Sequence, residues 1–288
     1  MSGHDDDRTP ARTGAVPATG WAGLAASLDL SGRVAVVTGG TRGVGRAIVE
    51  TLLAAGSEVV TCGRHDPGES GLPRAAGPDG EERAATFVAA DVREADQAQG
   101  LIEAATTRHG HLDLLVNNAG GSPQVAAAEA SPRFVAAIVS LNLLAPYYCA
   151  QAANAVLQDQ PEGGSIVNIG SVSGLRPSPG TAAYGAAKAG LVSLTETLAV
   201  EWGPRVRVNC ISAGLLDTGA GPEHYGGPDG LARVAATVPL ARMGVPADVA
   251  GACLFLASPL AAYVSGANLV LHGGGEWPAF LRAARPSA

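Results

Sequence analysis

Short apolar runs alternate with helical patterns along the chain from Arg33 onward. Val34–Thr38 is an almost wholly apolar run, typical of a strand buried on both faces. An apolar pattern of helical period over Val44–Ala55 predicts a helix, and Gly56 follows as a residue that ends helices well. Further strands are predicted at Val59–Cys62, Thr86–Ala89, Leu112–Val116, Ser165–Ile169, Val206–Ile211 and Asn268–Leu271. This alternation predicts an α/β protein with a doubly wound parallel sheet of about seven strands and helices on both faces.

Two segments depart from this pattern. Residues 1–30 are rich in Gly, Ala, Pro, Thr and Asp, which predicts a flexible N-terminal arm in which only the apolar Trp21–Leu28 packs on the body. The crossover His65–Arg83 contains Pro67, Pro73 and Pro78 as well as four glycines. Because proline and glycine at this density oppose a helix, an irregular loop with at most one helical turn at its end is expected.

Composition and charge narrow the class of protein. The net charge of −7, with no cluster of Lys and Arg, argues against a nucleic-acid surface. Four scattered cysteines have neither a metal spacing nor a disulfide pattern and read as buried free thiols in a reducing compartment, namely Cys62, Cys149, Cys210 and Cys253. No apolar stretch near 20 residues is apparent, so we expect no membrane span. The N-terminus lacks the basic start and apolar core of a signal peptide, which makes the cytoplasm the expected location.

A glycine-rich loop joins the first predicted strand to the first long helix, with the sequence Thr38-Gly39-Gly40-Thr41-Arg42-Gly43-Val44-Gly45. Gly39, Gly43 and Gly45 would let the backbone turn tightly and approach a pyrophosphate, while the helix N-terminus points free N–H groups at the phosphates. The alternative is a tight strand-to-helix turn without a ligand. The strand before the loop and the helix after it favour the nucleotide.

The residues at the end of the second predicted strand indicate whether the chain binds NAD or NADP. An acid there would bind the ribose 2′-hydroxyl of NAD, but this chain has Cys62-Gly63-Arg64. Arg64, together with Arg42 of the glycine-rich loop, suits a 2′-phosphate, although both could be solvated surface arginines. The sequence therefore favours NADP(H) and leaves NAD(H) possible.

A group of three residues in the second half of the chain suggests acid/base chemistry. Tyr184 and Lys188 stand four residues apart in a helical segment, so they share one helix face. A nearby ammonium favours the phenolate and would lower the tyrosine pKa toward neutrality. Ser171 follows an apolar strand, where a doubly wound sheet places its ligands. Such a tyrosine could donate a proton to a carbonyl oxygen, or accept one in the reverse direction, with the serine hydroxyl on the same oxygen.

These residues together resemble the short-chain dehydrogenase/reductase family, over about Gly32 to Gly275. Thr38–Gly45 is similar to the family's TGxxxGxG loop, and Asn117-Asn118-Ala119-Gly120 to its NNAG motif. Asp91-Val92, Asn142, Ser171 and the YxxxK of Tyr184–Lys188 match further family positions. The resemblance implies one Rossmann-like domain, residues 31–275, followed by a C-terminal tail, residues 276–288.

The resemblance also implies a role for each matched position. Tyr184 would be the acid/base, Ser171 would orient the substrate, Lys188 would bind the nicotinamide ribose and tune the tyrosine, and Asn142 would hold a water that links Lys188 to solvent. The implied cofactor contacts are Gly39, Thr41, Arg42, Gly43, Val44, Gly45, Arg64, Asp91, Val92, Asn117, Ala119, Gly120, Tyr184, Lys188, Gly214, Leu216 and Thr218. Asp91 and Val92 would meet the adenine, and Leu216 and Thr218 the nicotinamide amide. No metal ligand is predicted.

The chain departs from the family pattern at two places. Ala213-Gly214 stands where the family often has Pro-Gly, which should loosen the loop slightly without abolishing binding. His272-Gly273-Gly274 replaces a late Asp-Gly-Gly, and we expect His272 to be structural because the catalytic set is complete without it. The family forms a substrate lid at residues 215–238. Its Leu215, Leu216, His224 and Tyr225, with Gly121-Ser122-Pro123 and Val172 on the other side, predict a mainly apolar pocket with a little polarity. The alternative for His224 and Tyr225 is an exposed loop.

The leading prediction is an NADP(H)-dependent oxidoreductase that reduces a medium-sized ketone to a secondary alcohol. The alternatives are NAD(P)-linked alcohol oxidation and, as a different class, an NADP-binding protein without turnover. An enoyl reductase is disfavoured because those relatives space their Tyr and Lys more widely. Family members usually associate through the helices that carry Asn142 and Tyr184 and through the last strand, so a homotetramer or homodimer is expected.

Overall fold

A computed structural model describes residues 20–219 and 227–284. Its nine strands are β1 Val34–Thr38, β2 Glu58–Gly63, β3 Arg74–Ala76, β4 Glu82–Ala84, β5 Thr86–Ala89, β6 Leu114–Asn117, β7 Gly164–Ser171, β8 Val206–Ala213 and β9 Asn268–Leu271. Seven of them form one parallel sheet in the order β5-β2-β1-β6-β7-β8-β9. The predicted Rossmann-like sheet of about seven strands is confirmed.

The helices in the described part of the chain are α1 Trp21–Ala26, α2 Gly43–Ala54, α3 Ala95–His109, α4 Pro132–Val139, α5 Ala145–Asp159, α6 Ala182–Trp202, α7 Gly227–Ala235, α8 Pro246–Ala257 and α9 Ala279–Ala283. They cover both faces of the sheet. Ala35 and Val37 of β1 pack in one core layer with α2 and α8, whereas Val34 and Val36 pack in the other with α3 and α5. Both faces of β1 are therefore buried, as its apolar sequence predicts.

The crossover between β2 and β5 is a hairpin and not the irregular loop that its composition predicts. A 3₁₀ turn, Glu69–Gly71, opens it, and the short strands β3 and β4 then pair antiparallel. Ala75 packs against the core layer of α2, and the Arg46 guanidinium of α2 donates a hydrogen bond of 3.0 Å to the carbonyl oxygen of Gly71. A hairpin meets its hydrogen-bonding needs across two strands, so this crossover needs no helix.

One long helix contains Asn142, a predicted site residue, and packs in the core. α4, a π-helical turn at Ser140–Leu144 and α5 run on as a single helix of 28 residues, Pro132–Asp159. Its most apolar window has a mean hydropathy of 1.4, so by length and composition alone it is apolar enough to cross a membrane, and the expectation that no such stretch exists is wrong. Cys149, Ala150 and Leu157 nevertheless pack into the core, and 33% of that window is buried.

The ends of the chain and the predicted lid are described in part. Residues 1–19 of the predicted arm lie outside the described residues, while residues 21–26 of it form α1, and Leu30 is buried in the core layer of α2. His224 and Tyr225 of the lid also lie outside the described part. The rest of the lid includes α7, whose Gly230 is buried.

Candidate active site

The loops after β1 and β6 meet at the carboxyl end of the sheet, where the strand order reverses. The Thr38 hydroxyl accepts hydrogen bonds from the backbone N–H groups of Asn118 and Ala119, at 3.0 Å and 2.9 Å. The Asn118 amide in turn donates to the carbonyl oxygen of Thr38 at 2.9 Å. Since ligands of open α/β sheets bind in the crevice at this reversal, these bonds fix the walls of the candidate site.

The glycine-rich loop has the backbone that a pyrophosphate needs. Gly39 and Gly43 adopt φ values of 66° and 54°, which favour glycine. A Cβ added at Gly45 would lie 2.3 Å from the carbonyl oxygen of Gly39, so only glycine lets the helix start this close to the loop. α2 begins at Gly43, and its N-cap residue Arg42 provides no side-chain cap. The first N–H groups of α2 are therefore open to an anion, and the loop fits a dinucleotide.

The remaining loop positions frame this helix start. Thr41 is half-buried, Arg42 is exposed, and Val44 packs against the core layer of α2. The backbone N–H of Gly39 donates to the carbonyl oxygen of Cys62 at 3.1 Å, which ties the loop to the end of β2. Arg64 follows β2 and is exposed. The loop thus lies beside the strand end that carries Arg64.

The predicted adenine position carries an ion pair that the sequence did not reveal. Arg93 donates from Nε to Oδ1 of Asp91 at 2.9 Å and from Nη2 to Oδ2 of the same carboxylate. The Arg93 guanidinium holds the pKa of Asp91 below its ordinary value, and Arg64 adds to this effect. Arg64 therefore lies near the adenine position, while Val92 is buried. Nothing in a spacing of two residues marks Arg93 as a partner in advance.

Lys188 is fully buried beneath the candidate site. Its side chain lies on α6, 3% exposed, and Nζ donates to the carbonyl oxygen of Ile169 at 2.7 Å. Nζ also lies 5.7 Å from the centre of the Tyr184 ring. Burial lowers the pKa of Lys188 to about 8, because the ammonium has lost most of its water. Lys188 is also the only lysine in the sequence.

Tyr184 differs from the expectation in its ionisation. Burial raises the pKa of Tyr184 above its ordinary value, and the neighbouring Ser171 side chain only partly offsets this. Desolvation dominates, and the lowering by Lys188 that the sequence predicts is not among the causes of the Tyr184 pKa shift. Ser171 closes β7, and its hydroxyl accepts a hydrogen bond of 3.2 Å from the N–H of Ser173. The result is a protonated phenol beside a serine hydroxyl at the end of a strand.

Asn142 joins the long helix to the loop after β6. It lies fully buried in the π-helical turn, an irregularity that is frequent at functional sites. Its amide nitrogen donates to the carbonyl oxygens of Gly121 and Ile138, both at 2.9 Å, and its Oδ1 accepts from the N–H of Gly121 at 2.9 Å. A Cβ added at Gly120 would lie 2.8 Å from Asn142 Oδ1 and 3.4 Å from Lys188 Nζ. The structure thus brings Asn142, Gly120 and Lys188 together.

Asn117 is placed differently from its neighbours in the NNAG motif. Its side chain is buried, and the amide donates to the carbonyl oxygen of Pro146 at 3.1 Å and to Oδ1 of Asn168 at 2.9 Å. The side chain therefore stabilises the core. In the rest of this motif, Asn118 and Ala119 are half-buried and Gly120 is exposed.

The loop after β8 completes the crevice. Gly214 donates from its N–H to the carbonyl oxygen of Leu271 at 2.8 Å, and an added Cβ would lie 2.7 Å from the His272 Cβ. The Cβ of His272 thus lies against the backbone at Gly214, while the residue as a whole is exposed, and its structural role stays a prediction. Leu216 is half-buried and bridges to Gly244, and Thr218 is exposed. Ala213 pairs with Leu271 in the sheet, which holds the loop without the family's proline.

The described residues contain no group of three or more His, Cys, Asp or Glu side chains that could hold a metal ion. The four cysteines are free and buried, and burial raises the pKa of Cys62 and of Cys210 to about 11. These thiols are therefore packing residues. The described site offers a glycine-lined crevice, a tyrosine and serine pair, a buried lysine and two exposed arginines at the far end.

Known proteins are similar to this chain in sequence and in fold. A family model described as enoyl-(acyl carrier protein) reductase matches residues 39–276. L-rhamnose 1-dehydrogenase (NAD(P)(+)) of Azotobacter vinelandii is 34% identical over 249 residues, which are 84% of this chain and 96% of the relative. Among solved structures, the aldohexose dehydrogenase of Thermoplasma acidophilum has a TM-score of 0.77 at 29% identity, covering 90% of this chain and 98% of its own. A short-chain type dehydrogenase/reductase from Mycobacterium marinum also has a TM-score of 0.77, at 31% identity, covering 87% of this chain and 98% of its own.

The chain therefore belongs to the short-chain dehydrogenase/reductase family, as the resemblance of its motifs indicated. It is an oxidoreductase of that family.

Proposed function

We propose that this oxidoreductase uses NADP(H) to reduce a ketone to a secondary alcohol, with Tyr184 as the general acid. The observation that carries the proposal is that Tyr184 of α6, which is half-buried, lies beside Ser171 at the end of β7 and beside Lys188. A phenol whose pKa is raised stays protonated at neutral pH, and a carbonyl oxygen that gains electron density needs such a donor. Ketone reduction uses the phenol in this protonated form.

Each residue of the group would contribute one step. The Ser171 hydroxyl would hold the carbonyl oxygen, and Tyr184 would pass its phenolic proton to that oxygen as the alcohol forms. Lys188, charged below its pKa of about 8, would stabilise the phenolate that remains. The buried Asn142 holds the Gly121 backbone and thereby shapes the wall beside Lys188. The bound nicotinamide cofactor would supply the hydride.

The glycine-rich loop and the residues around it would form the binding surface of the cofactor. Gly39, Gly43 and Gly45, with the open N–H groups of α2, would hold the pyrophosphate. Gly120 leaves room beside Lys188 for the nicotinamide ribose. Arg42 and Arg64 are exposed, and Arg64 lies near Asp91, so a 2′-phosphate at this end would meet two guanidinium groups. Their positive charge supports NADP(H) over NAD(H).

Fluorescence titration of the full chain with NADPH and with NADH tests this assignment. We expect NADPH to bind at least about tenfold more tightly, which corresponds to about 1.4 kcal/mol. Arg64→Asp should remove most of that preference, because it places a carboxylate where the phosphate would bind. Arg74→Asp in the β3–β4 hairpin is the matched control, since this arginine is also exposed. Equal binding of both cofactors by the unchanged protein would contradict the assignment.

Alcohol oxidation by the same group of residues is the second candidate. The relatives named above include an L-rhamnose 1-dehydrogenase and an aldohexose dehydrogenase, whose names describe the oxidation of sugars. In that direction Tyr184 would accept the hydroxyl proton, and the reaction would accelerate as the pH rises. Assaying L-rhamnose and acetophenone with both cofactors in both directions separates the two candidates. The spacing of Tyr184 and Lys188 supports carbonyl chemistry over the enoyl reduction in the family model's description.

We also propose that the enzyme is a cytoplasmic homotetramer. Apolar side chains are exposed on the long helix, on α8 and on β9, namely Val135, Leu144, Phe255 and Val270. Ala186 and Ala189 are exposed on α6, where small side chains permit close helix packing. Burial of such surfaces between subunits would stabilise the assembly. The four free thiols fit a reducing compartment.

A further inference from the structure

An ion pair joins two loops that lie 100 residues apart in the sequence. One terminal nitrogen of Arg176 contacts Oε1 of Glu276 at 2.5 Å, and its side chain also donates to the carbonyl oxygen of Pro177 at 3.2 Å. The side chains are 38% and 31% exposed, so the pair is partly shielded from water. Neither residue belongs to the proposed chemistry.

Arg176 belongs to the same turn as the proposed substrate-binding serine. Ser171 is followed directly by a 3₁₀ turn at Val172–Gly174, and the serine hydroxyl caps this turn. The backbone N–H of Arg176 donates to the carbonyl oxygen of Val172 at 3.1 Å. One short, hydrogen-bonded turn therefore connects Arg176 to Ser171, so that the position of one affects the position of the other.

Glu276 belongs to a segment that is hydrogen-bonded to the loop after α7. We call residues 272–277 the C-terminal strap. Within it, Gly273 accepts a hydrogen bond of 3.1 Å from the N–H of Leu240, and Trp277 donates one of 3.2 Å to the carbonyl oxygen of Thr237. Thr237 and Leu240 lie two and five residues after the end of α7. The strap thus connects the loop after α7 to Glu276, and through it to Arg176.

We infer that Arg176 and Glu276 are positioning residues that fix the loop after α7 against the serine turn, residues 171–176, and so set the width of the substrate cleft between them. The inference rests on the proposed function, because it takes Ser171 as the substrate-binding residue and residues 227–240 as the opposite wall of that cleft. A carbonyl compound held between the two walls must meet Ser171 and Tyr184 at hydrogen-bond distance. Without the ion pair, the charged side chains no longer join the strap to the serine turn. The two walls of the cleft are then held less firmly and the substrate binds more weakly. The glycine-rich loop is unchanged, so cofactor binding is unchanged.

The kinetic test uses Glu276→Gln in the full chain, which removes the charge and keeps the shape. With NADPH and acetophenone, or NADP⁺ and L-rhamnose, we expect the KM of the substrate to rise about fivefold. This is the largest effect expected from the loss of a partly exposed ion pair. The Kd of NADPH should stay within about twofold of the unchanged protein. The exchanged pair, Arg176→Glu with Glu276→Arg, should restore KM to within about twofold, because it keeps the attraction with reversed charges.

A second measurement keeps the test independent of turnover. Amide hydrogen exchange with NADP⁺ present should increase in both Gly227–Ala235 and Val172–Arg176 for Glu276→Gln, and return in the exchanged pair. Glu82→Gln is the matched control, since it breaks the exposed Arg74–Glu82 pair of the hairpin. Unchanged exchange in either segment, or an increase that the exchanged pair does not reverse, would overturn the inference. If the unchanged protein turned over neither probe, the proposed function would fail on these substrates while the exchange data still decided the role of the pair.

Discussion

Lys188 offers the sharpest physical prediction because it is both fully buried and the only lysine in the chain. Its pKa is lowered to about 8 from an ordinary value of 10.5 by loss of hydration. Such a shift corresponds to about 3 kcal/mol of destabilisation of the charged form. A protein grown with lysine labelled with ¹³C at Cε gives one lysine resonance and needs no assignment.

Titration of that Cε resonance measures the pKa directly. We expect a midpoint near 8 in the folded protein and one near 10.5 after unfolding in denaturant. A midpoint near 10.5 in the folded protein would refute the claim that burial controls this amine. Tyr184→Phe is the control, because it keeps the aromatic ring at 5.7 Å and removes the hydroxyl.

The same shift has a consequence for stability. The folded pKa lies below the unfolded one, so the folded protein binds this proton more weakly. The destabilisation is fully present below pH 8 and is relieved as the pH rises from 8 toward 10.5. The free energy of unfolding of the unchanged protein, relative to Lys188→Met, should therefore increase over this range. Denaturant unfolding at several pH values checks the sign, and a flat difference would contradict it.

Two further predictions follow from close contacts and exposed surfaces. Gly120→Ala places a Cβ 2.8 Å from Asn142 Oδ1 and 3.4 Å from Lys188 Nζ, so kcat/KM should fall at least about tenfold with a small change in Tm. Steady-state kinetics with thermal melting check this, and unchanged kinetics would contradict the placement of Gly120. Val270→Asp places a charge on the exposed face of β9, where Val270 is 38% exposed, and should split the proposed tetramer into smaller species. Light scattering after size-exclusion chromatography decides this, and a monomeric unchanged protein would end the tetramer proposal.

The sheet could be predicted from the sequence because its strands are short apolar runs separated by helical patterns. Val34–Thr38 and Asn268–Leu271 agree with the structure residue for residue. The predicted strand at Leu112–Val116 begins two residues early, since Leu112 is apolar and buried but precedes β6. An apolar side chain indicates that a residue is buried, but residues in the loops beside the sheet are buried as well. The apolar pattern therefore does not mark where a strand begins.

The features that the sequence did not predict depend on partners distant in the chain or on competing local forces. Arg74–Ala76 and Glu82–Ala84 have too few apolar residues to indicate strands, and they pair because a turn brings them together. The Arg176–Glu276 pair joins positions that no local pattern relates. The direction of the Tyr184 pKa depends on how deeply the fold buries it, which a spacing of four residues from Lys188 does not specify.

The most direct test of the role of Tyr184 is turnover by Tyr184→Phe with cofactor binding measured on the same sample. We expect NADPH to bind within about twofold of the unchanged protein, while ketone reduction falls at least about a hundredfold, because the general acid is gone. Tyr148→Phe on α5 is the matched control and should leave both unchanged. Retained turnover by Tyr184→Phe would contradict the proposed role of Tyr184 and with it the mechanism.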